Sequence, residues 1–337
     1  MNEWKKVKLK DCCLKIGSGS TPKGGSTVYV ESGTSFIRSQ NVYNLSFDYN
    51  GLTHITEDAA NKLKGVTVFS EDILLNITGD SVARTCIVPK NVLPARVNQH
   101  VAIVRTDSKK MNMHFLNYYL VSPRMQAHML SLAVGKGASR NAMTKQMIEN
   151  FEVPCPPLSV QQRIATILSH YDSLIENYQK QIKLLEESAQ RLYKEWFIDL
   201  RFPGHENVQN VDGVPEGWEK KKVGNLISKV LRTKQVSANN YLYSGRLPVI
   251  DQSRNYIAGY TNEIESLLKV TIPYIVFGDH TRVLKYVPFS FAKGADGTQL
   301  IMSNDLERMP QSLFYNSLIE IVLSNYSYAR HFKYLKE

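Results

Sequence analysis

The sequence predicts an α+β protein of two similar domains, each a curved, mostly antiparallel sheet plus helices, joined by a long coiled-coil-type helix. Three observations predict it. From Ser159 to about Arg201, apolar residues recur at alternating steps of four and three, with no Gly or Pro between them. On either side lie short β-rich runs broken by Gly, Ser and Asn turns. The second flank repeats the first in order, restarting at Trp218 as the first starts at Trp4.

Composition agrees with two domains. The chain has 337 residues and is 43% hydrophobic, enough for ordinary packed cores. Its net charge of +10 is unevenly placed. Residues 1–150 carry 19 Lys/Arg against 11 Asp/Glu, residues 151–215 carry 6 against 9, and residues 216–337 carry 16 against 11. Two basic lobes thus flank an acidic connector. That pattern points to a polyanionic partner for the lobes and a protein partner for the connector, although three solvated surfaces of random charge give similar sums. Cys12, Cys13, Cys86 and Cys155 lack CxxC spacing, so no metal centre is expected and all four read as reduced and mostly buried, as in a cytoplasmic protein. The N-terminus has no apolar signal core and no run of 18 apolar residues occurs, so no membrane span is expected.

The first lobe is expected over residues 1–153. Thr34–Ser39, Asp72–Ile77 and Val101–Arg105 read as strands, Gly17–Gly25 and Gly135–Arg140 as exposed loops, and Met113–Leu132 as helix. Pro154, Pro156 and Pro157 enforce an extended entry to the connector. Ser159 followed by Gln162 is a capping-box pattern for the start of the long helix. Its seam is Ile164, Leu168, Tyr171, Ile175, Tyr178, Ile182, Leu185, Ala189, Leu192 and Trp196, over a rod of roughly 60 Å. A seam of this kind calls for another long helix beside it. Phe202-Pro203-Gly204 is the expected stop, and residues 203–215 the linker.

The second lobe is expected over residues 216–337. Phe36–Asn41 is matched by Pro248–Asn255, Asp72–Asp80 by Pro273–Asp279, Phe115–Leu120 by Leu313–Leu318, and Ala138–Arg140 by Tyr328–Arg330. Each match is loose; their common order makes a diverged duplication.

A basic α+β lobe, then PCPPLSVQQRI at Pro154–Ile164 opening a long helix that closes on LEESAQRLYKEWF at Leu185–Phe197, then VPEGW at Val214–Trp218, resembles the specificity subunit of Type I restriction–modification systems. The Gly17–Pro22 loop and Arg96-Val-Asn-Gln-His are similar to the family as well. The resemblance covers essentially the whole chain. It implies two target recognition domains, each reading one half of a split DNA site, and helical spacers that set the distance and dock two methyltransferase subunits. Restriction subunits with ATP-driven translocation would then join. The subunit itself would perform no chemistry and need no cofactor. The family pairs two long helices antiparallel, one after each recognition domain. Here the second helix would follow Arg330, seven residues before the last residue given, Glu337; either the sequence stops short of it, the gene is truncated, or another chain, such as a second copy, supplies the partner helix. The alternative reading is a coiled-coil adaptor whose lobes bind protein.

The residues favour binding over catalysis. No GxxxxGK[ST], HExxH or NPPY-like sequence occurs. Groove reading needs Arg or Lys for guanine and Asn or Gln for adenine on loops, and phosphate clamps need Lys, Arg, Ser or Thr. Thr21 and Lys23 sit in the glycine-framed first loop, which an ordinary hairpin loop would also explain. Arg38, Gln40 and Asn41 follow a strand; Arg84, Arg96, Asn98 and Gln99 are further candidates, the last two able to tie a turn instead. Lys136, Ser139 and Arg140 lie just ahead of the spacer, where the family would face DNA. In the second lobe, Arg232 and Lys234 match the phosphate-type loop, and Asp251, Gln252 and Arg254 match Arg38–Asn41. His280, Arg282 and Lys293 lie on other polar loops, where Asp279 and Asp296 read as base contacts or as turn-formers. Tyr326, Tyr328 and Arg330 would sit at the end of this lobe.

Overall fold

Strands form in the first unit where β-branched and aliphatic residues run together. Ile73–Asn76 (β9) and Val101–Thr106 (β12) pair antiparallel at its centre. The sheet order is β10 (Thr85–Ile87), β9, β12, β2 (Cys13–Ser18). Side chains alternate between two cores, the period-2 rule at work. Ile73, Leu75, Ala102 and Val104 face helices α2 (Met113–Leu120), α3 (Pro123–Ala133) and α4 (Lys145–Glu149), with Leu116, Met129 and Ile148 in that core. Leu74, Val101 and Ile103 face a second sheet, against Ile37, Val68 and Val97.

That second sheet has the order β3 (Tyr29–Val30), β7 (Thr53–Ile55), β4 (Thr34–Ile37), β11 (Ala95–Val97), β8 (Thr67–Val68). Its neighbours are antiparallel except β4 and β11, which run parallel with Ser35 opposite Ala95 and Ile37 opposite Val97. Helix α1 (Glu57–Lys62), capped by Thr56, covers Phe36 and Ile55 on the outer face. A small ribbon, β5 (Val42–Tyr43) with β6 (Ser46–Phe47), stands beside it. Strand β1 (Lys6–Lys8) pairs with β13 (Glu152–Pro154), tying the start of the lobe to its exit. The helical run expected over residues 113–132 is two helices, because Ser122 caps a new one with Pro123 in its first turn.

The structure is a computed structural model that describes residues 4–134, 141–230, 233–321, 323 and 331–337. It divides into two compact units, Met1–Tyr178 and Gln179–Glu337, with the division inside the long helix α5 (Leu158–Tyr193). Both ends of α5 differ from expectation. The helix begins one residue before Ser159, and the Pro157 carbonyl accepts from Val160 and Gln161 N–H at 2.9 and 3.1 Å. The residue that fixes the start is Gln161, fully buried. Its amide donates to the Pro156 and Lys110 carbonyls at 2.8 and 3.1 Å, and its carbonyl accepts from Asn112 N–H at 2.8 Å. Gln162 points to solvent, so no capping box forms. At the far end a π-helical turn, Lys194–Ile198, follows α5, and Leu200 adopts a left-handed conformation with φ 56°. The helix therefore stops before Phe202-Pro203-Gly204.

The second unit repeats most of the first. Strands β17 (Gly259–Thr261), β16 (Leu247–Ile250), β21 (Phe291–Lys293) and β18 (Leu267–Leu268) reproduce the order β7, β4, β11, β8, with β16 and β21 as the parallel pair. Strands β20 (Leu284–Val287), β19 (Tyr274–Gly278) and β22 (Thr298–Ile301) reproduce β10, β9, β12. Helix α6 (Gln311–Ile319) stands where α2 stands, with Phe314 and Leu318 in the core beside Ile275 and Phe277, and α7 (His331–Lys336) adds Leu335. Ahead of this sheet, β14 (Asn210–Val211) and β15 (Val214–Pro215) form a hairpin whose Asp212-Gly213 turn has positive φ at both residues, 51° and 76°. All four cysteines are free; Cys12 and Cys86 are buried, Cys13 and Cys155 half-buried.

Candidate nucleic-acid interface

Parallel neighbours release their following loops from the same end of a sheet. In the first unit this brings the turn after β4, residues 38–41, beside the turn after β11, residues 98–100, and the Asn98 N–H donates to the Ile37 carbonyl at 3.0 Å. Two further loops join the rim. The glycine-framed loop lies over the second turn: Gly19 N–H donates to the Val101 carbonyl at 2.9 Å, Ser20 N–H to the Val97 carbonyl at 3.0 Å, and the Thr21 hydroxyl to the Gln99 side-chain carbonyl. Only glycine fits at position 19, since a Cβ there would stand 2.1 Å from the Val97 carbonyl oxygen. The 77–84 turn is tied in by Ile77 N–H to the His100 carbonyl at 2.9 Å and by Thr78 Oγ1 with His100 Nδ1 at 2.6 Å.

On this rim Thr21, Lys23, Gln40 and Gln99 are exposed. Arg84 is half-buried, its guanidinium 4.6 Å above the exposed Tyr43 ring. Arg38 is half-buried, with Nη2 donating to the Gly51 carbonyl at 2.7 Å and to Thr53 Oγ1 at 3.0 Å. Three candidates are corrected. Asn41 is fully buried and closes the turn, accepting from Arg38 N–H at 3.0 Å and donating to the Asp48 carbonyl at 2.9 Å. Arg96 is buried in the sheet and donates to the Ala60 and Ala95 carbonyls at 3.1 and 3.0 Å, burial pushing its pKa down. Asn98 is buried and accepts from His100 N–H at 3.1 Å, the turn-tying role.

The second unit builds the same rim with different side chains. Gln252, after β16, is its hub: its amide donates to the Asp296 carbonyl at 3.0 Å, its side-chain carbonyl accepts from His280 N–H at 3.1 Å, and its main-chain carbonyl accepts from the Thr281 hydroxyl at 2.6 Å. Three turns, after β16, β19 and β21, are thereby joined. Arg254, His280 and Arg282 are exposed and Lys293 is half-buried; Arg282 Nη1 donates to the Leu323 carbonyl at 3.3 Å. Asp251 is corrected from a base contact to a structural anchor. It accepts from Ser253 N–H at 2.8 Å and the Tyr241 hydroxyl at 3.3 Å, and lies 3.8 Å from the Lys285 ammonium. Lys285 is buried beneath the turn and donates to the Asp251 and Asn255 carbonyls at 2.7 and 2.6 Å; burial lowers its pKa. Asp279 is buried and accepts from Phe332 N–H at 2.8 Å, so the turn-former reading applies. Lys234 is exposed and lies 3.0 and 3.4 Å from the Glu263 and Glu265 carboxylates. Lys136, Ser139, Arg140, Arg232, Tyr326, Tyr328 and Arg330 lie outside the described residues.

Sequence reading missed the residues that hold these turns from beneath. Asn76, fully buried on β9, donates to the Ser39 carbonyl at 2.8 Å; Lys285 does the equivalent in the second unit. Both stand in strands whose apolar neighbours hide them. On α5, Ile164 packs on the first core, Trp196 is half-buried, and Leu168, Tyr171, Ile175, Tyr178, Ile182, Leu185, Ala189 and Leu192 are exposed. Among the described residues no helix is long and apolar enough to cross a membrane.

A family model for the Type I restriction modification DNA specificity domain matches residues 1–187. The specificity subunit of Type I restriction enzyme MjaIX from Methanocaldococcus jannaschii is 27% identical over 254 residues, 74% of this chain and 57% of that protein. The putative MjaX specificity subunit of the same organism is 22% identical over 227 residues, 66% of this chain and 52% of that protein. The chain thus spans about half the length of these curated relatives. Among solved structures, the S subunit of a Type I restriction–modification system from M. genitalium aligns with a TM-score of 0.53 at 14% identity, covering 93% of this chain and 76% of that one, a likeness of fold.

Proposed function

The chain belongs to the Type I restriction modification DNA specificity family, and on that footing we propose that it is the sequence-reading subunit of a Type I restriction–modification complex. Each unit reads one half of a bipartite duplex site with the loops on its rim, and α5 sets the spacing between the halves. One observation carries this reading: two copies of one strand topology present different polar side chains, Gln40, Arg84 and Gln99 in one and Arg254 and His280 in the other, on the rim of turns gathered at one end of a parallel strand pair. Amide and guanidinium donors on such loops suit base edges, and Lys23 and Thr21 suit phosphate. Different side chains on equal frames call for half-sites of different sequence.

The methyl transfer and cleavage then belong to other chains. Two modification subunits dock on α5, and restriction subunits with translocase activity join them, all in the cytoplasm. The chain itself binds without catalysis and without a cofactor. Methylome sequencing of cells carrying this gene with its partner genes tests the proposal. A methylated split motif, one half of which changes when the loops of the second rim are exchanged, supports it; an unchanged methylome after loss of this gene overturns it.

A further inference from the structure

A two-stranded ribbon leaves the rim of the first unit where the second unit has none. Residues 38–52 join β4 to β7 and include β5 and β6, whereas residues 251–258 join β16 to β17 without strands. The frame folds without the ribbon, so the ribbon serves something else. Its inner side chains are accounted for: Val42 is buried and Phe47 half-buried, both in the core between the two sheets. Its outer side chains are not. Tyr43 and Leu45 are 40% and 41% exposed. Leu45 also holds φ 60°, a left-handed turn position that glycine or asparagine fills at less cost. Stability alone does not call for leucine there.

The ribbon turn is fastened beside Arg84. Leu45 N–H donates to the Thr85 carbonyl at 3.0 Å, and the Asn44 side-chain carbonyl accepts from Thr85 N–H at 3.1 Å. The Arg84 guanidinium lies 4.6 Å above the Tyr43 ring and, among the described residues, makes no hydrogen bond or ion pair. Stacking fixes the plane of the guanidinium and leaves its N–H donors at the edge of the ring, a fork that fits guanine O6 and N7. A phosphate would satisfy the fork too, but would set its charge beside the exposed Leu45 side chain. A thymine C5 methyl suits that leucine. The major groove admits a two-stranded ribbon and displays this methyl beside the guanine acceptors of a neighbouring pair. The excess of Lys and Arg over residues 1–150, 19 against 11 Asp and Glu, draws a duplex rather than an apolar peptide to this corner.

Resting on the reading of this unit as a DNA reader, we propose that the ribbon makes Leu45 and Arg84 a two-base reader. Arg84 takes a guanine, Leu45 takes the C5 methyl of a thymine on the adjacent base pair, and Tyr43 positions the guanidinium. The first half-site therefore holds a thymine and a guanine on neighbouring pairs. The second half-site, read without a ribbon, carries no such requirement.

The test selects from a pool of randomised duplexes with the full chain and its modification subunits. The expected product is a split motif whose first half holds thymine and guanine at adjacent pairs. Leu45→Gly relieves the turn, so the fold is kept; it should remove the thymine preference at that position alone, with Tm no lower. Arg84→Ala should cost about tenfold or more at the guanine and spare the thymine. Tyr43→Leu should weaken the guanine preference, and Tyr43→Phe, which keeps the ring, should restore it. Deoxyuridine in place of that thymidine should weaken the parent by about fourfold, the worth of one buried methyl, and leave Leu45→Gly unaffected. A split motif that Leu45→Gly leaves unchanged, or binding indifferent to the missing methyl, overturns the inference while the proposed function stands. Loss of the whole motif on Leu45→Gly assigns the ribbon to the frame and overturns it too. A pool that yields no motif overturns the proposed function and this inference with it.

Discussion

Arg105 and Asp72 face each other through two parallel 2.7 Å hydrogen bonds, Nε to Oδ1 and Nη2 to Oδ2, at the root of the first unit's central sheet. The Asp72 side chain has no solvent exposure and also accepts from Phe69 N–H at 2.7 Å, while the guanidinium lies 4.0 Å over the Phe69 ring. Asp72→Ala strands a largely buried guanidinium, and breaking one side of such a pair costs ~3–5 kcal/mol. Urea denaturation is expected to show a loss of that size. A loss under about 1 kcal/mol would place the pair with ordinary surface bridges.

Lys23 and Gln40 occupy one rim but have different expected readouts. Lys23→Ala should weaken binding to every duplex alike and reduce the salt slope by about 1, because one counterion-releasing contact is lost. Gln40→Ala should cost about 1–3 kcal/mol for the preferred base in one half-site and leave the other half-site untouched. Anisotropy titrations on duplex variants at several salt concentrations, with the modification subunits present, separate the two. Equal effects on all sequences from both variants would remove the distinction.

Gly19 carries the crossing of two loops. Gly19→Ala drives a Cβ to within 2.1 Å of the Val97 carbonyl oxygen, so the loop must lift from the 97–100 turn. The expected result is loss of first-half-site preference with far-ultraviolet circular dichroism unchanged. Ala in place of Gly17, where a Cβ meets nothing within 4 Å, is the matched control and should retain binding.

Tyr256 sets an alkaline limit in the second unit. Burial pushes its phenol up to about 12 from an ordinary 10.0, with its hydroxyl donating to the Tyr286 carbonyl. Between those values the folded chain keeps a proton the unfolded chain has released. Its contribution to stability is therefore complete below pH 10 and falls as pH rises from 10 toward 12. Denaturant midpoints measured across that window should fall less steeply for Tyr256→Phe than for the parent. Parallel pH profiles would assign the alkaline loss to other groups.

The long helix, the two lobes and their repetition were legible because each rests on periodicity, which local sequence carries. The matched pairs Phe36/Pro248 and Phe115/Leu313 fall in equivalent strands and helices, β4 with β16 and α2 with α6. Turn position was legible at Gln40 and Gln252, but of the two only Gln40 is exposed, while Gln252 is half-buried and its amide joins neighbouring turns. Arg96 and Asn41 carry the same chemistry, yet burial turns them inward to backbone carbonyls and amides, and the half-buried Asp251 is held by Ser253 N–H and the Tyr241 hydroxyl. Burial depends on contacts across the sheet, such as Arg96 with Ala60, which no local window contains. Gln161 was missed for the same reason: its partners Lys110 and Asn112 lie about fifty positions upstream.

The parallel pairs β4/β11 and β16/β21 also have an evolutionary consequence. The turns that follow β4 and β16 are held from below through their backbone carbonyls, by Asn76 of β9 under Ser39 and by Lys285 of β20 under Asp251 and Asn255. A carbonyl is the same whatever side chain it bears. Exposed tip residues such as Lys23 and Arg254 can therefore mutate without disturbing the frame, whereas Gln252, whose side chain joins three turns, is part of it. New recognition can arise by exchanging tips while stability is inherited intact.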